Sequence, residues 1–315
     1  SGCYGWSMKV LRFVRRRLAR LVLTVFIIAT LVFFLVRVLP GDPAAVVAGL
    51  DADSETVARI REQMEMDQPL VMQYLEWLWS ALRFDFGTSF FSGEPAMGLI
   101  LERFPLTLTL AVLSFLFALA VAIPLGVLSA VHRWGPVDYA GMVYSQLGMA
   151  IPGFWLGILL LIVFAVRLQW FPLFGASSLR HLVLPVIALG VGRSALLVRY
   201  VRSSTREELG REYVVTAESM GLRRTSIRYR HVLKNALLPV ITIAGIQFGY
   251  LLGGTIIIEQ VFSLPGVGRL LLSAIQQRDF AVIQAGVVFV AVIFSLVNFL
   301  ADVLYSVLNP RIRVG

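Results

Sequence analysis

What this chain has least of is charge and sulfur. Only 15% of its 315 residues are Asp, Glu, Lys or Arg, where a soluble domain carries about a quarter. One cysteine, Cys3, excludes an internal disulfide framework and a cysteine-based zinc site. The only lysines are Lys9, after Met8, and Lys234, after Leu233. No Gly-Lys pair therefore exists, and a phosphate-cradling Walker A loop is excluded. The three histidines, His132, His181 and His231, stand far apart in different loops or loop edges, which reads as structural rather than metal-ligating. Gly-x-Ser-x-Gly and His-Glu-x-x-His are missing too. These absences argue against an enzyme and against a metal held by this chain.

What the chain has instead is oil. Hydrophobic residues make up 58%, and the mean hydropathy is +0.80. Spanning a hydrocarbon core of roughly 30 Å takes about 20 apolar residues in helical form. Six segments qualify, near 18–38, 105–130, 140–166, 182–200, 236–258 and 281–307. The fourth, "LPVIALGVGRSALLVRY", is the least apolar, with Arg193 and two glycines. No segment alternates with period two, so the spans are helices rather than barrel strands. The first begins too far after "KVLRFVRRRLAR", and runs too long, for a cleaved signal. The preceding "SGCYGWS" reads as an upstream start or an added remnant.

The net charge of +9 sits in clusters beside apolar spans, which points to membrane orientation and not to nucleic acid. Lys9, Arg12, Arg15, Arg16 and Arg17 precede the first span, and Arg311 and Arg313 follow the last. Segment 201–235 adds Arg202, Arg206, Arg211, Arg223, Arg224, Arg228, Arg230 and Lys234. Segment 39–104 holds four arginines against eleven acids. The positive-inside rule places both termini and 201–235 in the cytoplasm. The expected division is a basic N-terminus over 1–17, a first span over 18–38, an outer segment over 39–104, a core over 105–310 and a tail over 311–315. Within the outer segment, "DSETVARIREQMEM" begins with an N-cap signal. "LVMQYLEWLWSALRF" is amphipathic, with Trp77 and Trp79 suited to the interface.

Ionisable residues inside a membrane mark ion or substrate paths. Here they are few: Arg37, Arg193 and Asp302, with Gln247 and Asn298 as polar neighbours. Arg37 and Asp302 lie near span ends, where they can snorkel. Arg193 either lines a polar cavity or pairs with an acid of a partner subunit. No chain of acids suggests a proton relay.

One passage stands apart. "EYVVTAESMGLRRTSIRYRHVLKNALLPVIT", 212–242, is polar and basic between two apolar blocks. It has the form of a short helix ended by Gly221 and followed by a basic helix. Tyr213, Val214, Ala217 and Met220 form a mixed face able to plug a groove on a cytoplasmic protein. An amphipathic loop lying on anionic lipid is the other reading of the same residues.

The passage resembles the cytoplasmic EAA loop of ATP-binding-cassette importer permeases of the dipeptide, oligopeptide and nickel branch. Val215-Thr216-Ala217 stand where Glu-Ala-Ala would be expected, and Gly221 falls at the expected spacing. "LPGDPA" at 39–44, "DQPLVMQYLEWLWSALRFDFGTSF" at 67–90 and "IPGFWLGILL" at 151–160 resemble family passages in family order. So do "IIEQVFSLPGVGRLL" at 257–271, "RDFAVIQ" at 278–284 and "LNPRIR" at 308–313.

The resemblance implies an all-α inner-membrane protein of six transmembrane helices. A long periplasmic segment would follow the first, and a cytoplasmic coupling-helix loop would join the fourth and fifth. It implies a second homologous permease, two ATPase subunits that bind the ATP and Mg, and an extracytoplasmic binding protein. Tyr213, Ala217, Met220, Gly221, Arg223 and Arg224 would couple to the ATPases. Glu259, Pro265, Gly266 and Arg269 would dock the binding protein, with Pro265, Gly266 and Gly268 allowing a tight outer turn. The same loop can equally be a re-entrant or capping helix. Gln247, Asn298 and Asp302 would line the substrate path. Short peptides are the expected cargo. Nickel or another chelated solute is the alternative within the family, and a stand-alone transporter or channel the alternative outside it.

Overall fold

The computed structural model describes residues 2–38, 53–63 and 68–308, with side chains over 14–37, 53–59 and 68–303. "LPGDPA", most of "LNPRIR" and the basic tail lie outside the described residues, as do the side chains of Lys9 and Arg12.

The described residues form helices and connecting turns, with one isolated bridge between Thr88 and Pro95. Helix α1 (Gly2–Val38) runs unbroken through Met8, and its apolar stretch is Val14–Arg37. Two short helices follow, α2 (Ser54–Gln63) and α3 (Leu70–Ala81). The long α4 (Ala96–Val131) is next, then α5 (Pro136–Ala150) and α6 (Gly153–Arg167). The rest are α7 (Arg180–Leu209), α8 (Glu212–Ser219), α9 (Arg224–Val261), α10 (Val267–Gln277) and α11 (Phe280–Leu308). Helices α1, α4, α7, α9 and α11 are each long and apolar enough to cross a membrane, and α5 with α6 supply a sixth crossing if the pair is one span.

That sixth crossing corrects the sequence expectation of a continuous helix over 140–166, because α5 and α6 meet at 98°. Pro152 is the reason. Its ring excludes the residue before it from the helical region, and Ile151 is extended at φ −85°, ψ 120°. The expected ends also move outwards. Helix α7 continues to Leu209 and α9 starts at Arg224, so most of 201–235 is helix and only 210–223 lies between the two long helices. Arg, Glu and Lys are good helix formers, and nothing obliges a span to end where the lipid ends.

The core is built from small residues. Helix α4 buries Ala111, Ser114, Ala118, Ala122 and Gly126 on one stripe against α7 and α9. Small side chains let backbones approach closely where lipid supplies no hydrophobic drive between helices. Leu197, Val198 and Val201 of α7 and Val240 and Ala244 of α9 complete this cluster.

Helix α3 rests on α1 through aromatic contacts. The Phe33 ring lies 5.2 Å from both Tyr74 and Trp77, and the Thr30 and Tyr74 hydroxyls are 2.8 Å apart. Arg37 does not snorkel freely: its guanidinium sits 3.5 Å over Phe33 and donates to Gln73 Oε1 at 3.1 Å. The outward face of α3 keeps Leu70, Val71, Met72, Leu75 and Trp79 exposed. The expected N-cap of α2 is present, with the Thr56 N–H donating to Asp53 Oδ1 at 3.0 Å.

Candidate functional site

At one end of the bundle α7 stops at Gly210 and the chain turns through Arg211, at φ −73° and ψ 147°, into α8. Helix α8 ends in a Schellman turn. The Gly221 N–H donates to Glu218 O at 3.0 Å, and the Leu222 N–H to Ala217 O at 3.2 Å. Gly221 holds φ +76°, where a Cβ would clash with its own backbone although nothing else lies within 4 Å of that position. Arg223 is extended again, and Arg224 opens α9.

This short helix has an inner and an outer face. Val214, Ile227 and Val232 are buried together, with Leu209, Tyr213 and Ala217 packed against them. The Tyr213 hydroxyl donates to Glu208 Oε2 at 2.9 Å, and burial is the main cause that pushes its phenol above the usual range. Arg211 bridges back to Glu207 at 2.9 Å, while the Ser204 hydroxyl ties α7 to α9 through Ala236 O at 2.7 Å. On the outer side Val215 is 61% exposed, Met220 76% and Leu222 45%. Arg223 and Arg224 are exposed beside them, and Arg224 reaches Glu218 at 3.5 Å.

The face expected from Tyr213, Val214, Ala217 and Met220 is therefore corrected. Three of the four turn inward, and only Met220 stays exposed on the outer side. Val215 and Leu222 were not selected from the sequence. Their signal was the helical period: with Val214 and Ala217 three apart on the inner stripe, Val215 falls off it.

At the opposite end, Glu259 is not an exposed contact residue as expected. Its side chain is buried at 0% exposure. It accepts the Thr107 hydroxyl at 2.7 Å and the Arg269 N–H at 3.1 Å, and Thr107 Oγ1 accepts the Val267 N–H at 2.9 Å. Carboxylate and hydroxyl together satisfy the first turn of α10, whose N–H groups have no partner inside the helix. The glycines serve this packing and not a left-handed turn position, although the Gly266 N–H closes a tight turn onto Leu264 O at 2.9 Å. Gly266 is extended, and a Cβ there would overlap the Glu259 carboxylate, while one on Gly268 would meet Ile256 Cα at 2.5 Å. The left-handed residue of the loop is Ser263, at φ 52°. Pro265 is exposed and lines an open cavity of about 720 Å³ with Glu102, Arg103 and Ser178. Arg269, half-buried, donates to Ser263 O at 2.8 Å.

The polar residues of the spans do not converge on one point. Gln247 accepts from Arg193 Nη1 at 3.0 Å. Asn298 lies one helix away, its Oδ1 3.4 Å from where a Cβ on Gly249 would stand. Asp302 pairs with Arg17 of α1 at 2.7 Å.

Residues 122–314 match the family described as binding-protein-dependent transport system inner membrane component, and residues 10–111 match its N-terminal part. The chain is 41% identical over 304 residues to the glutathione transport system permease protein GsiC of Salmonella choleraesuis (strain SC-B67), covering 96% of this chain and 99% of that one. It is 40% identical over 304 residues, with the same shares covered, to GsiC of Escherichia coli (strain K12). The fold is shared with a chain of the inward-facing MetNI methionine ABC transporter, at a TM-score of 0.55 and 18% identity over 68% of this chain and 97% of that one. The chain belongs to the binding-protein-dependent transport system inner membrane components, as a multi-pass ABC importer permease of the peptide and nickel branch.

Proposed function

We propose that this chain is half of the translocation path of an ATP-driven importer of short peptides. A second homologous permease supplies the other half, and an extracytoplasmic binding protein delivers the cargo. ATP and Mg are held by two separate ATPase subunits. The N- and C-termini and α8 face the cytoplasm, which the basic flanks of α1 and α9 support.

One observation carries the reading: α8 is packed on its own chain on one side and bare on the other. Val215, Met220 and Leu222 make an apolar knob among Glu218, Arg223 and Arg224, the composition of a site that docks into a protein groove. Its inner face wedges between the end of α7 and the start of α9. A push on α8 is thereby felt by both long helices, as nucleotide-driven switching of a two-state bundle requires. Glutathione, named for the relatives, is itself a short peptide, which supports the cargo class.

Co-purification tests the reading. Met220→Glu with Leu222→Glu is expected to leave the chain and the second permease together in mild detergent while at least about tenfold less ATPase co-elutes, since hot-spot truncations cost about 2 kcal/mol or more. Unchanged ATPase recovery would mean that α8 lies on lipid.

A further inference from the structure

Four arginines meet a carboxylate among the described residues: Arg17, Arg202, Arg211 and Arg224. Arg193 differs. It stands near the middle of α7, inside the apolar segment expected over 182–200, and no ion pair among the described residues includes it. A cation at that depth faces the bundle interior or water and needs a compensating partner. What Arg193 has is neutral: the Gln247 amide oxygen at 3.0 Å and the Tyr250 ring, with its guanidinium carbon 5.7 Å from the centroid.

Those two partners belong to α9, one stripe of which is uncovered. Ile246 is 43% exposed, Tyr250 54% and Ile257 55%, and Gly253 is exposed between them. These positions recur at helical spacing, so they form one face. The glycines keep it open beside the guanidinium. A Cβ on Gly253 would meet nothing within 4 Å, and one on Gly254 would stand 3.9 Å from Arg193 Nη2. A guanidinium presents five N–H donors in a flat fork that fits a carboxylate through two parallel bonds. Gln247 uses one side of the fork and fixes its orientation, leaving other donors for a ligand.

We propose that Arg193, oriented by Gln247 beside the open Tyr250–Gly253 face of α9, receives the carboxylate of the solute as it passes through the bundle. The inference rests on the importer reading above and deepens it: the path selects for an anionic terminus independently of the binding protein. Tyr250 would cover the apolar part of the solute, and Arg193 would hold its charged end.

The test uses the whole complex, with both permeases, the ATPases and the binding protein, in proteoliposomes. The probes are trialanine and its C-terminal amide, each at a concentration that fills the binding protein equally. Wild type is expected to import the acid about tenfold faster than the amide. Arg193→Gln is expected to bring that ratio to about one, and Arg193→Lys to an intermediate value. Gln247→Leu and Gly254→Leu, which keep the charge but misdirect or crowd it, are expected to lower the ratio and carry the test should Arg193→Gln fail to assemble.

A wild-type ratio of one, or a ratio unchanged in an assembled Arg193→Gln complex, overturns the inference and leaves the importer reading intact. Loss of the second permease from Arg193→Gln and Arg193→Lys alike, with wild-type discrimination kept by the other two variants, assigns the guanidinium to a carboxylate of the neighbouring subunit and overturns it as well. No ATP-dependent uptake of either peptide overturns both readings.

Discussion

Asp138, at the start of α5, accepts both prongs of Arg202 from α7, with Nε to Oδ1 at 2.5 Å and Nη2 to Oδ2 at 3.0 Å. The carboxylate is wholly buried, and the guanidinium side chain is 16% exposed. Asp138 Oδ2 also accepts the Trp134 N–H at 3.1 Å, so one acid fixes the α4–α5 turn to the helix that leads into α8.

Breaking this pair from one side strands a buried charge, which costs about 3–5 kcal/mol. Asp138→Ala and Arg202→Met are each expected to lower the midpoint of thermal unfolding in detergent and to reduce the amount of assembled complex. The double substitution is expected to be milder than the sum of the two. A double-mutant cycle on the unfolding midpoint checks this, and simple additivity would count against a mutual bond.

The Arg17–Asp302 bridge between α1 and α11 is the contrasting case. Its side chains are 35% and 26% exposed at the ends of two apolar spans, within snorkelling reach of water, where exposed pairs contribute about 0–1 kcal/mol. Asp302→Asn is expected to leave the unfolding midpoint nearly unchanged, whereas a shift as large as that of Asp138→Ala would show that the bridge is effectively buried in the assembled transporter.

Glu259 is expected to be intolerant of truncation. Glu259→Ala would leave the Thr107 hydroxyl and the Arg269 N–H without an acceptor in a buried setting, at about 1–3 kcal/mol for each stranded group. Glu259→Gln retains one acceptor oxygen and is expected to lie between the two. Gly266→Ala, whose methyl would occupy the carboxylate's space, is expected to resemble Glu259→Ala. Protease sensitivity of the 262–266 loop in the purified complex reads all three.

At Gly221 the backbone, not the space around it, sets the limit. A β-branched residue in the left-handed region costs about 1–2 kcal/mol, and asparagine costs less. Gly221→Val is expected to unwind the end of α8 and slow ATP-driven uptake several-fold, with Gly221→Asn close to wild type. Equal uptake by the two would mean that the turn does not transmit force.

Tyr213 gives a pH dependence of known sign. Its folded phenol titrates above the ordinary value of 10.0, mainly through burial. The neutral form is favoured in the folded loop, so its contribution is complete below pH 10 and is lost as pH rises through the folded value. Tyr213→Phe is expected to flatten that alkaline loss. Limited proteolysis at the α8 loop across alkaline pH measures it, and an identical slope in Tyr213→Phe would place the titration elsewhere.

The sequence by itself determined the solvent and the scaffold. Long apolar runs have one stable form in lipid, the helix, because every backbone N–H and C=O must be satisfied within the segment. Five of the crossings could be read on that ground, and the glycine-ended helix at 212–221 from the turn that Gly221 permits. Tertiary structure decided which way residues face. The sequence offered Val214 and Met220 as one surface, but packing against Ile227 and Val232 turned the first inward and left the second bare. It also offered Glu259 as a surface acid, although Thr107, more than 150 residues away in the chain, makes it a buried cap. A helical period gives neighbours along one helix, whereas the partner across the bundle depends on how whole helices approach. That approach is set by small residues whose contacts are distant in the chain, such as Ala118 and Ala122 against Val198 and Val240.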